Sequence, residues 1–412
     1  MVETSLPKEI GFLGALSIGA GAVLGPGEYI VSGEVAAEVG PAAVFAFLIA
    51  GGLMCLTALS YAELGPMLPL AGGSYHFVKE GWGPSGGFLS GWACWIGLIT
   101  ATAFYTIGAA HFISELFIPW LSVGVLVLFI MGIFTFINIT GARMTTVVEI
   151  MLFLISLIII LGFVVVGIPN MEPAGHAPFF AVNKGWTDVF YMAAVITVNF
   201  VGFDLVAATA GEIENPGRNV PVATILSLVM MVLLVGGVVW VATGVIDYTQ
   251  MAGSDVPIAV AAENFSGRFG FTAVSIGGIV ACLTGINASL LAASRYMFTL
   301  SKETPLPDIF SKVHTELNTP HYAVLLTGIL IAIVGFFGNL KMTMSLTAAE
   351  YLFVFVLVNI SVVLLRRKRP DHKRPFKIPG FPIPPIAGAV ACALATFVSD
   401  LLSLSGHFLD PS

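Results

Sequence analysis

Residues 18–33 read Ile-Gly-Ala-Gly-Ala-Val-Leu-Gly-Pro-Gly-Glu-Tyr-Ile-Val-Ser-Gly, and they constrain everything around them. The stretch lies in an apolar run long enough to cross a bilayer, yet Gly25-Pro26-Gly27 makes a poor helix interior. Pro26 has no N–H to donate and crowds the preceding turn, and each glycine costs about 1 kcal/mol of helix propensity relative to alanine. A carboxylate, Glu28, follows at once. Inside hydrocarbon, non-helical backbone persists only where protein or a watery cavity receives its polar groups. The run therefore predicts a helix broken at mid-depth, with its freed backbone facing a binding cavity.

Composition extends that constraint to the whole chain. Charged residues make up 10% and hydrophobic residues 57% of the 412, and mean hydropathy is +0.96. A soluble domain carries about 25% charged residues. Many runs here reach the ~20 apolar residues that a spanning helix needs. The predicted class is an all-α polytopic membrane protein, which excludes a soluble enzyme with a single anchor. Cys55, Cys94, Cys282 and Cys392 stand far apart in apolar runs and read as small buried residues, not as a disulfide framework. The histidines show no pair at a metal-binding helical spacing, so no metal is expected. Glu3 and Glu9 lead into a full-length span without a small-residue exit, which argues against a cleaved signal peptide.

Eleven spans are predicted, over about residues 11–39, 41–64, 86–117, 121–139, 145–168, 187–213, 222–246, 270–300, 321–338, 345–365 and 383–404. With the N-terminus in the cytoplasm, fourteen of the 17 Lys and Arg fall inside, and only Lys184, Arg268 and Lys341 fall outside. An odd number of spans then places the C-terminus outside. The cluster Arg366–Lys377 pins the loop before the last span to the cytoplasm, and topology plus contact with anionic lipid suffice to explain it.

A second interruption stands in the sixth span, where Val198-Asn199-Phe200-Val201-Gly202-Phe203-Asp204 breaks an apolar run. If residues 11–168 and 187–365 form two five-span units, with an extra helix at 383–404, each unit opens on a broken helix. The units are then oppositely oriented, because five is odd. Inverted repeats with discontinuous first helices and a midplane site between them are a recurring transporter plan.

These residues resemble the amino acid–polyamine–organocation (APC) permease family. Gly21, Gly25, Gly27 and Gly33 match its first-span glycine motif. Tyr61-Ala62-Glu63-Leu64, Pro69, Gly72-Gly73-Ser74-Tyr75, Gly83-Pro84, Gly87-Phe88 and Gly91-Trp92 are similar to its second-to-third span signature. Phe200–Asp204, followed by Glu212-Ile213-Glu214-Asn215-Pro216-Gly217-Arg218-Asn219-Val220-Pro221, matches its most recognisable stretch. Arg295, Leu306-Pro307, Val313-His314 and Thr319-Pro320 resemble the eighth-to-ninth connection, and Arg366–Pro370 with Arg374–Gly380 resembles the tail. The resemblance implies a LeuT-type fold of five plus five helices and secondary transport of amino acids or amines. Two departures stand out. Pro26 occupies the position between the glycines where relatives that bind α-amino acids carry a small polar residue, and Glu28 occupies a usually apolar one. A lysine that many relatives carry in the fifth span, thought to replace a sodium ion, falls by register near the apolar Leu152, with Glu149 one turn earlier.

Half-helix ends offer N–H groups to an anion, and unwound carbonyls suit an ammonium or cation. Val23, Gly25, Pro26, Gly27 and Glu28 on one side, with Val198, Asn199, Phe200 and Gly202 on the other, are the predicted substrate-binding residues. Phe200 is expected to gate the site, while Trp92, Trp95 and Tyr105 read as packing or interface anchors. Glu28 is either a cation ligand or proton carrier, or a carboxyl capping the outer half-helix. Glu149 is a coupling candidate unless it snorkels to the nearby interface. Asp204 reads as a cap for the inner half of the sixth span. Thr284 and Asn287 either supply oxygens to a sodium site or bond within their own helix.

No phosphate-binding G-x-x-x-x-G-K-[ST] loop and no nucleophile–base arrangement stands in the chain, so neither a pump nor an enzyme is expected. The sequence predicts a permease for small amino acids in the plasma membrane, working by alternating access. It would need no cofactor, would run on a proton or sodium gradient or by exchange, and would have no nucleic-acid partner. The alternatives are an amine, polyamine or monovalent-cation transporter of the same fold, or a transport-dead sensor.

Overall fold

The first apolar run stops where proline and glycine dictate. In the structure, a computed structural model that describes residues 7–25, 29, 31–172, 175–252, 254 and 256–405, helix α1 (Phe12–Val23) ends at Leu24. The Gly25 amide reaches back only to the Val23 carbonyl, at 2.8 Å. Helix resumes as α2 (Ser32–Val39). Pro26, Gly27 and Glu28 lie outside the described residues. A tight turn over Gly40–Ala42, entered through Gly40 at φ 72°, leads into α3 (Ala43–Met67).

A short helix, α4 (Ser74–Trp82), then precedes the long α5 (Pro84–Leu116), and Gly83 at φ 97° turns one into the other. After α6 (Val123–Ile139) and α7 (Ala142–Gly167) the chain reaches the second predicted interruption. There α8 (Trp186–Val195) tightens into a 3₁₀ segment, Ile196–Phe200, and regains α geometry only as α9 (Leu205–Ala208). The remainder is helical: α10 (Pro216–Val245), α11 (Tyr248–Ala252), α12 (Pro257–Glu303), α13 (His321–Phe337), α14 (Leu340–Lys368) and α15 (Ile383–Ser405). Gly267, at φ 59° and ψ −155°, divides α12 into a short and a long part.

Among the described residues, seven stretches are long and apolar enough to cross a membrane: Ser32–Met67, Pro84–Leu116, Ala142–Asn170, Trp186–Ala208, Pro216–Val245, Pro257–Glu303 and Met342–Lys368. Four shorter apolar helices accompany them: Phe12–Val23, Val123–Ile139, His321–Phe337 and Ile383–Phe397. Large apolar side chains such as Phe129, Ile158 and Leu233 face outward, about two-thirds exposed, where a soluble protein would place charge. The predicted eighth span, 270–300, begins earlier than expected, because the part of α12 before Gly267 is helical too. That part and α4 escape a hydropathy reading because short helices owe their stability to tertiary packing.

The interior is organised by long helices in pairs. α3 packs on α10, α5 on α12, α12 on α7, α14 on α5, and α6 on α13, while α15 lies outside against α14 and α3. Both interrupted helices are thereby held in the middle, α1 against α10, α7 and α12, and the 3₁₀ segment against α3.

Candidate functional site

The two interruptions meet. Gly202, at φ 141°, lies so close to the end of α1 that a Cβ there would stand 2.7 Å from the Val23 nitrogen and 2.8 Å from the Ala22 Cβ. Only glycine combines that backbone angle with that approach. Asp204 supports the turn, its Oδ1 accepting from the Gly202 amide at 3.1 Å. This differs from the expected helix cap, since no backbone N–H of α9 is bonded by the Asp204 side chain.

Tyr105 of α5 ties the same region together. Its ring fills a slot between Gly25 and Gly285, where added Cβ atoms would come within 2.6 and 2.8 Å of the ring. Its hydroxyl donates to the Ala22 carbonyl at 3.0 Å, satisfying one of the acceptors that a helix C-terminus leaves open. A residue read as packing from sequence is thus the brace of the first break.

Between the breaks lies a small cavity of ≈ 30 Å³. It is lined by Val23, Gly25, Ala101, Phe104, Tyr105, Val198, Asn199, Val201, Met344 and Thr347. Among the described residues that line it, the side chains are apolar except for Tyr105, Thr347 and Asn199. The Asn199 Nδ2 is buried without a hydrogen-bond partner. A buried donor left unpaired costs about 1–3 kcal/mol, which a bound acceptor would recover.

Of the predicted substrate residues, Val23, Gly25, Val198 and Asn199 line the cavity, and Gly202 stands behind it against α1. Phe200 does not line it. Its side chain is fully buried edge-on against Phe47 of α3, with centroids 6.5 Å apart. Three residues per turn put Val198 and Val201 on one face of the 3₁₀ segment and turn Phe200 to another.

The coupling candidates gather behind α1. Glu149 is fully buried, so it does not snorkel. Its Oε2 accepts from Asn287 Nδ2 at 2.8 Å, and Asn287 also donates to the Thr145 carbonyl and accepts from Asn138 Nδ2. The other carboxyl oxygen has no hydrogen-bond partner. It faces Gly21, where a Cβ would sit 2.4 Å from it and 2.2 Å from the Thr284 methyl. The Thr284 hydroxyl is spent on its own helix, donating to Val280 O at 2.9 Å. Glu149 is therefore an α7 side chain that meets both α1 and α12.

Sequence reading passed over two further features. Glu350, an acidic residue inside the predicted tenth span, was open to the rule that such groups are functional by default. The second is a closure at the end of the bundle that carries most of the basic residues. There the Glu9 and Ile10 amides donate to Glu212 O, and the Glu214 amide donates to Ile10 O. Arg295, fully buried rather than at a helix end, donates to both Glu212 oxygens at 2.6 and 2.8 Å. The basic tail is likewise engaged with protein rather than left to lipid: Arg366 and Arg374 converge on buried Glu63, and Arg369 pairs with Glu80.

Comparison with known proteins agrees with this architecture. The branched-chain amino acid permease BcaP of Bacillus subtilis is 28% identical over 410 residues, covering 95% of this chain and 88% of that protein. The methylthioribose transporter of the same organism is 29% identical, covering 94% and 87%. The vacuolar cationic amino acid transporter 2 of Arabidopsis thaliana is 30% identical over 387 residues, covering 87% of this chain and 60% of that protein. The family described as amino acid permease matches residues 10–407. With its two interrupted helices, its apolar membrane-length spans and that match over nearly its whole length, the chain belongs to the amino acid permease family, among the APC permeases that its motifs resemble.

Proposed function

We propose that this protein is a secondary permease of the plasma membrane that carries small, largely apolar amino acids by alternating access around the cavity between the two breaks. The observation that carries the reading is the Asn199 amide, its nitrogen buried and unpartnered beside a cavity walled mostly by valine, alanine, methionine and aromatic side chains. The amide is placed to donate to a substrate carboxylate, and the walls suit a short apolar side chain. Relatives named for branched-chain and cationic amino acids support the substrate class.

The reading takes eleven spans, an N-terminus in the cytoplasm and an inverted repeat. Internal correspondences support the repeat. α4, Gly83 and α5 match the short part of α12, Gly267 and its long part, each pair joined by a glycine at positive φ. α5 packs on α14 as the long part of α12 packs on α7. Glu149, with one oxygen free and facing α1, is the group through which a coupled cation would act on the first break.

Uptake of labelled amino acids into proteoliposomes tests the reading. The unaltered protein is expected to take up L-leucine, and Asn199→Ala to raise KM about tenfold or more, the loss of a hydrogen bond to a charged group being worth about 1.5–3 kcal/mol. An unchanged KM would remove Asn199 from the site. Uptake of diamines in preference to amino acids would favour the amine reading instead.

A further inference from the structure

We propose that Glu350, one turn along α14 from the cavity wall, is a proton-binding site that the cavity loads through the hydroxyls of Thr347 and Thr100. The proposal rests on the permease reading above. Thr347 lines the cavity. Its Oγ1 donates to Thr100 Oγ1 at 2.9 Å, and Thr100 Oγ1 lies 3.4 Å from Glu350 Oε2, in donor geometry. Each hydroxyl shares its single proton with a carbonyl of its own helix, Thr343 O at 2.8 Å and Gly97 O at 3.0 Å, so donation along the relay alternates with donation to the backbone. Gly97 makes room on α5: a Cβ there would stand 3.3 Å from the carboxylate oxygen.

No basic side chain answers this carboxylate: among the described residues no Lys, Arg or His lies within ion-pairing distance of it. The titratable groups beside it along the seam are Cys94 of α5 and Tyr351 of α14, with Asp204 toward the second break. A carboxylate in this setting has a proton as its natural counter-charge. In the transfer, Thr100 gives its proton to Glu350 and takes one from Thr347, which takes one from a hydronium ion in the cavity and leaves water behind. One proton moves from the cavity to the carboxylate, and both hydroxyls are restored.

A second observation points the same way. Thr100 and Thr284 each lie seventeen residues beyond the glycine that opens their long helix, Gly83 and Gly267. Each threonine thus stands at the same level of its repeat, on a helix packed against one that bears a glutamate, half-buried Glu350 on α14 and buried Glu149 on α7. On the proposed topology Glu350 lies on the cytoplasmic side of Thr347, beneath the cavity floor.

The test uses the full chain in proteoliposomes with labelled L-leucine. Accumulation driven by an inward proton gradient is compared with counterflow exchange at equal pH. Glu350→Gln is expected to lower accumulation, and leucine-linked proton entry, by about tenfold or more while counterflow stays within about twofold. Accumulation within about twofold of the unaltered protein, or equal loss of accumulation and counterflow, would overturn the proposal. If Glu350→Gln does not insert, Thr100→Ala cuts the path while keeping the carboxylate. It is expected to slow proton-driven accumulation with counterflow intact, and unaffected accumulation would overturn the proposal equally. Absence of counterflow in the unaltered protein would sink the amino acid reading as well, whereas intact counterflow with unaffected accumulation sinks only this site.

Discussion

Around Gly202 a missing side chain lets two interrupted helices touch. Alanine there would place a methyl 2.7 Å from the Val23 nitrogen and hold a non-glycine residue in a backbone region that costs about 1–3 kcal/mol. Gly202→Ala is expected to abolish uptake and lower the thermal midpoint, both read on purified protein. Tyr105→Phe is a milder probe: the ring still fills its slot, but the Ala22 carbonyl loses its donor. Stability should fall by about 1–3 kcal/mol, visible as an earlier thermal transition. An unshifted transition would show that water replaces the hydroxyl. Gly25 was legible in sequence as a helix breaker, whereas the aromatic ring it accommodates lies eighty residues away and carries no local signal.

The elements that position these residues are divided by glycines at positive φ and closed by a buried ion pair. Gly83 and Gly267 each let a short helix turn into a long one, and Thr100 and Thr284 each follow their glycine by seventeen residues. At the opposite end of the interrupted helices, Arg295 and Glu212 are fully buried and bonded twice. Removing one partner of such a pair costs about 3–5 kcal/mol, because it strands the other charge. Arg295→Met is therefore expected to destabilise strongly, and Glu212→Leu combined with Arg295→Met to recover most of the loss. Thermal melts of both single variants and the double variant measure the coupling, and additive losses would show that the pair does not act as a unit. Sequence showed Arg295 as part of the connection after the eighth span but not its carboxylate partner, which follows the second break on a different element.

At the scale of the whole molecule, the basic tail is an internal strap. Glu63 of α3 accepts from Arg366 Nε and Nη2 and from the Ile378 amide, and Arg374 Nε lies 3.3 Å from it. Lys368 reaches Gly81 O, and Arg366 stacks 4.0 Å over Phe381. Glu63→Gln is expected to loosen residues 366–378 and speed tryptic cleavage at Arg367 and Lys373 several-fold in detergent, with the rest of the chain resistant. Unchanged cleavage would mean that the carbonyl contacts of Arg374 suffice.

Hydropathy, breaker residues and the spread of lysine and arginine were enough to read a polytopic helical bundle, its two interruptions and the family it belongs to. Each of those follows from a local rule: lipid rejects unpaired peptide groups, and proline and glycine refuse helix geometry wherever they stand. Which side chains share the cavity was not local. A turn of 3₁₀ helix brings Asn199 to the cavity and Phe200 against α3, burial removes Glu149 from the interface it sits near in sequence, and Thr347 and Glu350 meet Thr100 only because α14 packs on α5. Such neighbours are chosen by the packing of distant helices, and no periodicity along one segment encodes the partner that another segment will bring.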